Sequence, residues 1–176
     1  MKIRLITVCA LAAFTLNGCD RKEASVVEKE MAAYQAELEA AQAKYAKAGE
    51  DFLAKTAKEP GVVTLPSGLM YKVLSNPNPN APQPKITDTV TVNYEGKLVD
   101  GRIFDSSYAR NQPASFPLNR VVEAWQIGIP LMHKGDSYML YVPSKLGYGE
   151  RDMGNGEIPA NSVLVFKVEL LDIQAK

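Results

Sequence analysis

The sequence predicts an α+β protein, an antiparallel β-sheet wrapped around one short α-helix and preceded by a long N-terminal helix. Three observations predict it. Residues 24–58 lack proline and are rich in Ala, Glu, Lys and Gln, the composition of a long helix. Beyond Gly68, runs of alternating apolar and polar residues are separated by Pro-, Asn- and Gly-rich segments, as strands and loops are. Between those runs, around Trp125, lies a single short helical pattern. A length of 176 residues suits one ordinary domain with appendages.

Lys2 and Arg4, the apolar run Leu5 to Leu16 and the small residues before Cys19 have the tripartite form of an export signal. The run is too short for a transmembrane helix, which needs about 20 apolar residues. Leu16-Asn17-Gly18-Cys19 resembles a bacterial lipoprotein processing site, which implies lipidation of Cys19 and a membrane anchor; ordinary cleavage nearby, with Cys19 incidental, is the alternative. Cys9 would leave with the signal, so a lipid-capped Cys19 leaves no free thiol. Asp20 resembles the signal that keeps some lipoproteins at the inner membrane, which places the chain on the periplasmic side of a bacterial envelope. The expected division is a signal at 1–18, a lipidated helical spacer or dimerisation segment at 19–59, and a domain at 60–176 with its core at 85–174.

In the long helix, Val27, Met31, Tyr34, Leu38, Ala41, Tyr45, Ala48 and Phe52 recur at alternating steps of four and three, the period of a coiled-coil seam. Three uses stay open: a homodimer through helix 24–58, a helix packed on its own domain, or a solvated spacer. Gly49 is a soft spot, and Pro60-Gly61 ends the helix. Gly68 to Leu74 reads as a strand and Ser75 to Pro84 as a loop. Val90, Val92 and Tyr94 alternate with Thr91, Asn93 and Glu95, and Asp100-Gly101 is a hairpin turn before Ile103-Phe104. Asn119 is placed to cap a two-turn helix through Val121, Val122 and Trp125, with Gly128 stopping it in a left-handed conformation. Tyr138, Leu140 and Val142 form the next strand, closed by Pro143. Leu164, Phe166, Val168 and Leu170 form the last, with Lys167 and Glu169 facing out.

Twenty basic and twenty acidic residues cancel, so no global positive field exists to hold nucleic acid. One histidine and two N-terminal cysteines supply neither a zinc cluster nor a Cys/His nucleophile pair, and no metal or cofactor is expected. His133, beside Lys134-Gly135, reads as a surface residue.

Five segments carry a functional pattern: Val92 to Gly96, Asp100 to Ser107, Val121 to Trp125, Leu146 to Glu150, and Ile158 to Asn161 leading into Leu164-Val165-Phe166. Their order and spacing resemble FKBP-type peptidyl-prolyl isomerases, and among them the bacterial branch of macrophage infectivity potentiators. The resemblance implies that Trp125 is the floor beneath a prolyl ring, with Tyr94, Phe104, Val121, Val122 and Phe166 as walls and Phe116 at the rim. It further implies that the Tyr148 hydroxyl donates to the substrate carbonyl, that Ile158 offers a backbone N–H nearby, and that Asp105 orients the twisting amide. Ala114 and Ala124 depart from the pattern, standing where a second rim aromatic and a glycine are common.

Taken singly, Trp125, Phe104 and Phe166 read as core and Asp105 as a turn residue. Tyr148, between Gly147 and Gly149, calls for a partner. The function implied is isomerisation of X-Pro bonds in unfolded or nascent exported polypeptides, with tacrolimus- or rapamycin-like molecules as inhibitors. The alternative is a chaperone-like protein that captures unfolded chains. A structural lipoprotein that keeps only the fold is a third reading, which the presence of Asp105, Tyr148 and Trp125 opposes.

Overall fold

The computed structural model describes residues 21–176, so the signal segment, Cys19 and Asp20 lie outside the described residues. Helix α1 spans Arg21–Thr56. A boundary between two compact units falls after Leu38. In the first unit, Val26, Val27, Met31 and Tyr34 are all more than half exposed.

The second unit, from Glu39 to Lys176, holds the last turns of α1 and everything after them. It therefore begins earlier than the division expected at residue 60. The physical reason is the outer face of the sheet, where Phe52 and Leu53 pack with Met70, Tyr141 and Val165. The covered helix face also differs from the expected seam: Gly49 is buried while Ala41 and Ala48 are exposed. A Cβ on Gly49 would stand 2.5 Å from Val163 Cγ2, so the glycine permits close approach of helix and domain rather than merely weakening the helix. Beyond Thr56 the chain turns at Gly61, whose φ is +80°.

The remaining elements are β1 (Val62–Thr64), β2 (Met70–Ser75), β3 (Thr89–Leu98), β4 (Ile103–Ser106), β5 (Ala114–Pro117), α2 (Glu123–Gly128), β6 (Ser137–Val142) and β7 (Leu164–Gln174). All strand pairings are antiparallel, in the order β1-β2-β6-β7-β3-β4, with β5 also on β3. Strand β3 alternates buried and half-exposed residues along its whole length, as its sequence predicts. Its inward residues Val90, Val92 and Tyr94 join Leu140, Val142, Phe166, Val168 and Leu170 against Ala124 and Trp125 of α2. Strand β6 is buried on both faces from Leu140 to Val142, because α1 covers the outer face there.

Two expectations about α2 are corrected. Asn119 does not cap it: Leu118–Arg120 forms a separate 3₁₀ turn, and the helix starts after Val122, which makes no side-chain cap. Gly128 is not left-handed, having φ −81° and ψ −42°, and the chain continues into a further 3₁₀ turn, Ile129–Leu131. Its lack of a side chain serves packing, since a Cβ there would lie 3.1 Å from Leu140 Cδ2. His133 is also less exposed than expected, with Nδ1 3.5 Å from Oδ2 of the fully buried Asp136.

Candidate active site

A cavity of about 340 Å³ opens between α2, β3, β4, β5, β7 and the loop after β6, lined by Tyr94, Phe104, Asp105, Phe116, Arg120, Val121, Val122, Trp125, Tyr148 and Phe166. Nine of the ten residues expected at the site meet here; Ile158 does not.

The floor is built by edge-on ring contacts, the geometry that aligns positive ring edges with negative faces. Trp125, almost fully buried, meets Tyr94 at 5.3 Å, Phe166 at 5.4 Å and Phe116 at 5.8 Å between ring centroids, with interplanar angles of 83°, 80° and 78°. Phe104 in turn stands edge-on to Phe166 at 5.6 Å. That last pair needs Gly96 beneath it, because a Cβ at 96 would come within 2.7 Å of both rings. Each ring is thus held by another ring and by the element that carries it, α2 for Trp125 and a strand for the others.

Asp105 is positioned by backbone pairing. The N–H of Tyr94 donates to Ser107 Oγ at 2.8 Å, and the N–H of Ser107 donates to the Tyr94 carbonyl at 2.9 Å, which ties the end of β4 to β3. The Asp105 carboxylate then accepts hydrogen bonds from the Tyr94 hydroxyl and from Nη1 of Arg110. Arg110 closes the triangle by donating from Nη2 to the Tyr94 hydroxyl at 3.0 Å. Burial pushes the Asp105 carboxyl up, but donation by Tyr94 and the adjacent Arg110 cation outweigh it and hold the group below its ordinary value of 3.8. Asp105 is therefore an anion at neutral pH.

The two tyrosines go the other way. Burial, followed by donation to Asp105, raises the Tyr94 hydroxyl; burial, followed by the Asp105 charge, raises that of Tyr148. Both stay protonated donors at neutral pH. The Tyr94 proton is committed to Asp105, whereas the Tyr148 hydroxyl has no hydrogen-bond partner among the described residues. The Tyr148 loop is held from its backbone: Gly149, at φ +61°, donates to the Ser144 carbonyl at 2.8 Å and accepts from the Asn161 N–H at 2.8 Å.

The role expected for Ile158 is not supported by its surroundings. Its N–H already donates to the Met153 carbonyl at 2.9 Å, and its side chain is buried in the main core. Val122, just before α2, is a wall residue whose N–H finds no acceptor among the described residues, as is its neighbour Val121. Sequence reasoning also missed Arg110 and Arg120. Arg110 reaches Asp105 only because the turn after Ser106 folds back, with Ala109 N–H on Ser106 Oγ at 3.2 Å, and no residue spacing announces that.

A family model described as FKBP-type peptidyl-prolyl cis-trans isomerase matches residues 80–171, which encompass every residue lining the cavity. The chain belongs to the FKBP family. A second model, the domain amino-terminal to such isomerases, matches residues 11–73. Similar relatives of this FKBP-family chain include the FKBP-type peptidyl-prolyl cis-trans isomerase FkpA of Aeromonas hydrophila, 50% identical over 73% of this chain and 46% of the relative. Another is the peptidyl-prolyl cis-trans isomerase Mip of Coxiella burnetii, 46% identical over 71% of this chain and 53% of the relative. The chain thus spans about half the length of these curated relatives. Among solved structures, FkpA of Escherichia coli superposes with a TM-score of 0.78 at 39% identity, covering 88% of this chain and 71% of that one.

Proposed function

We propose that the chain is a peptidyl-prolyl cis-trans isomerase acting on proline-containing unfolded or nascent polypeptides outside the cytoplasm. The observation that carries this reading is the ring-walled cavity with an ionised Asp105 and an uncommitted Tyr148 hydroxyl. An X-Pro bond rotates over a barrier of about 20 kcal/mol, in tens to hundreds of seconds unaided. No bond is made or broken; what changes is amide resonance. Twisting the bond removes resonance, and the carbonyl loses charge separation. Walls of rings solvate a planar, polar amide poorly and penalise the twisted form less, so binding favours the top of the barrier.

In this reading the prolyl ring lies on Trp125 between Phe104, Phe166, Val121 and Val122, with Tyr94 and Phe116 closing the side. Tyr148 donates to the substrate carbonyl, and Val122 offers the second donor in place of Ile158. Asp105, fixed by Tyr94 and Arg110, orients the amide as it turns. No cofactor or metal takes part. The same cavity accepts tacrolimus- or rapamycin-like molecules as competitors.

For the N-terminal part, the lipoprotein-type sequence before Cys19 supports a lipid-anchored protein at the periplasmic side of the bacterial envelope, at the inner membrane if Asp20 acts as a retention signal. Mass measurement of the mature N-terminus tests this. The exposed stripe of Val27, Met31, Tyr34 and Leu38, spaced as a self-complementary seam, supports a homodimer through α1. Leu38→Glu together with Met31→Glu should then convert dimer to monomer in sedimentation.

Refolding of a model protein limited by proline isomerisation tests the activity. Catalytic amounts should abolish its slow phase; an unchanged slow phase with folded protein in excess would refute the reading. The alternative, capture of unfolded chains without turnover, is separated by Asp105→Asn. Under the isomerase reading this variant loses turnover while suppression of aggregation persists.

A further inference from the structure

Two charged side chains line the cavity, Asp105 and Arg120. Their situations differ. The Asp105 anion is matched by Arg110, so that pair contributes no net charge to the mouth. Arg120 is exposed and forms no salt bridge among the described residues. Glu123, three residues further on, is the first residue of α2 and does not pair with it.

The mount of Arg120 is rigid although its head is free. It is the last residue of the 3₁₀ turn Leu118–Arg120, and Leu118 is fully buried in the main core. The Leu118 N–H donates to the Asp88 carbonyl at 2.9 Å, and the neighbouring Val121 carbonyl accepts from Gln126 Nε2 at 2.8 Å. A cation is therefore held beside the aromatic walls, next to the two valines against which a prolyl ring would lie. A peptide seated in the cavity must pass this charge with one of the residues adjoining its proline.

We propose that Arg120 is a specificity-determining residue that favours an acidic side chain in the residue flanking the substrate proline. The proposal rests on the isomerase reading of the same cavity. Arg120 would contact a side chain that does not itself twist, so the interaction is equal in ground and transition states and appears in KM rather than kcat. An exposed ion pair of this kind is modest, and the preference is expected to be about two- to fivefold. Salt weakens it, since charges beyond about 8 Å are screened at physiological ionic strength.

The test uses the full chain and two peptide series, Ala-Xaa-Pro-Phe and Ala-Leu-Pro-Xaa, with Xaa as Glu or its uncharged near-isostere Gln. Exchange is measured by NMR without a coupled protease. The expected result is a Glu-to-Gln ratio of kcat/KM of about two to five in at least one series at low salt, carried by KM, and falling towards one in Arg120→Gln or at high salt. Because a ratio is read, a general loss in the variant cancels. A ratio of one in both series, or a ratio that survives Arg120→Gln, would overturn the assignment. If the Gln peptides are not accelerated either, the isomerase reading falls first and takes this proposal with it.

Discussion

Two hollows in the unit beginning at Glu39 are of similar size and unlike character. One, of about 340 Å³, is walled by six aromatic side chains and holds the Asp105–Arg110 pair. The other, of about 240 Å³, lies where α1 meets the β3–β4 turn and is lined by Lys44, Tyr45, Ala48, Leu98, Val99, Asp100, Ser162 and Val163. In the first, the rings brace one another edge-on, and a protonated hydroxyl is left without a partner. In the second the polar groups serve each other: Asp100 binds Arg102, and Arg102 donates to the Tyr45 hydroxyl at 3.2 Å. Volume does not separate a site from a seam; uncommitted donors over a preformed apolar surface do.

Substitutions should divide along that line. The largest effect is expected at the floor. Trp125→Ala removes a buried ring that contacts three others, which should cost about 3–5 kcal/mol in urea unfolding and reduce turnover below detection. Trp125→Phe separates surface from hydrogen bonding, because the indole N–H is buried with no acceptor among the described residues. It should retain most of the stability and much of the activity.

Next comes Asp105→Asn, expected to lower kcat by about ten- to a hundredfold, less than an oxyanion-hole donor is worth because no full charge develops. Affinity for a tacrolimus-like ligand, measured by calorimetry, should change far less. At the seam the pattern reverses. Gly49→Ala gains about 1 kcal/mol in helix propensity but forces a methyl onto Val163, and overpacking of about 1–3 kcal/mol should win. Stability should fall with kcat/KM unchanged, and Val163→Ala in the same chain should restore it. A matching loss of turnover would show that seam and site are coupled.

The smallest effect concerns pH. The folded pKa of Asp105 lies below its ordinary 3.8, so its contribution to stability is present above that value and is lost as pH falls through the lowered pKa. Turnover should accordingly be flat from about pH 8 to 5. Arg110→Met removes the one cation among the groups that depress this pKa, and the acid limb of the pH–rate profile should move to higher pH.

The legible parts of the molecule are those fixed by local period or by residue order. Strand β3 announces itself because one face is buried from Val90 to Leu98 and the other is not. Tyr94, Phe104, Trp125 and Phe166 could be grouped because their spacing along the chain resembles a known family, and the fold then brings them within ring contact. What the sequence hid depends on tertiary approach. The burial of Gly49 and Gly128 follows from Val163 and Leu140 lying opposite, distant residues that no window around either glycine contains. The commitment of the Ile158 N–H to Met153 arises from an isolated bridge across a loop with three consecutive positive-φ residues, Gly154 to Gly156, and such closure has no periodic signature. Arg110 was invisible for the same reason, since its partner is set by how the turn after Ser106 closes.

In the isomerase reading, a single ring-floored cavity makes X-Pro rotation easier than water does. NMR exchange on a prolyl tetrapeptide titrated with the full chain tests it most directly, reading the cis–trans rate together with the Trp125 indole and Tyr148 ring resonances. Exchange should be much faster than the uncatalysed tens to hundreds of seconds, with both residues shifting as peptide is added. Uncatalysed exchange in the presence of excess folded protein, or acceleration that leaves Trp125 and Tyr148 unmoved, would contradict it.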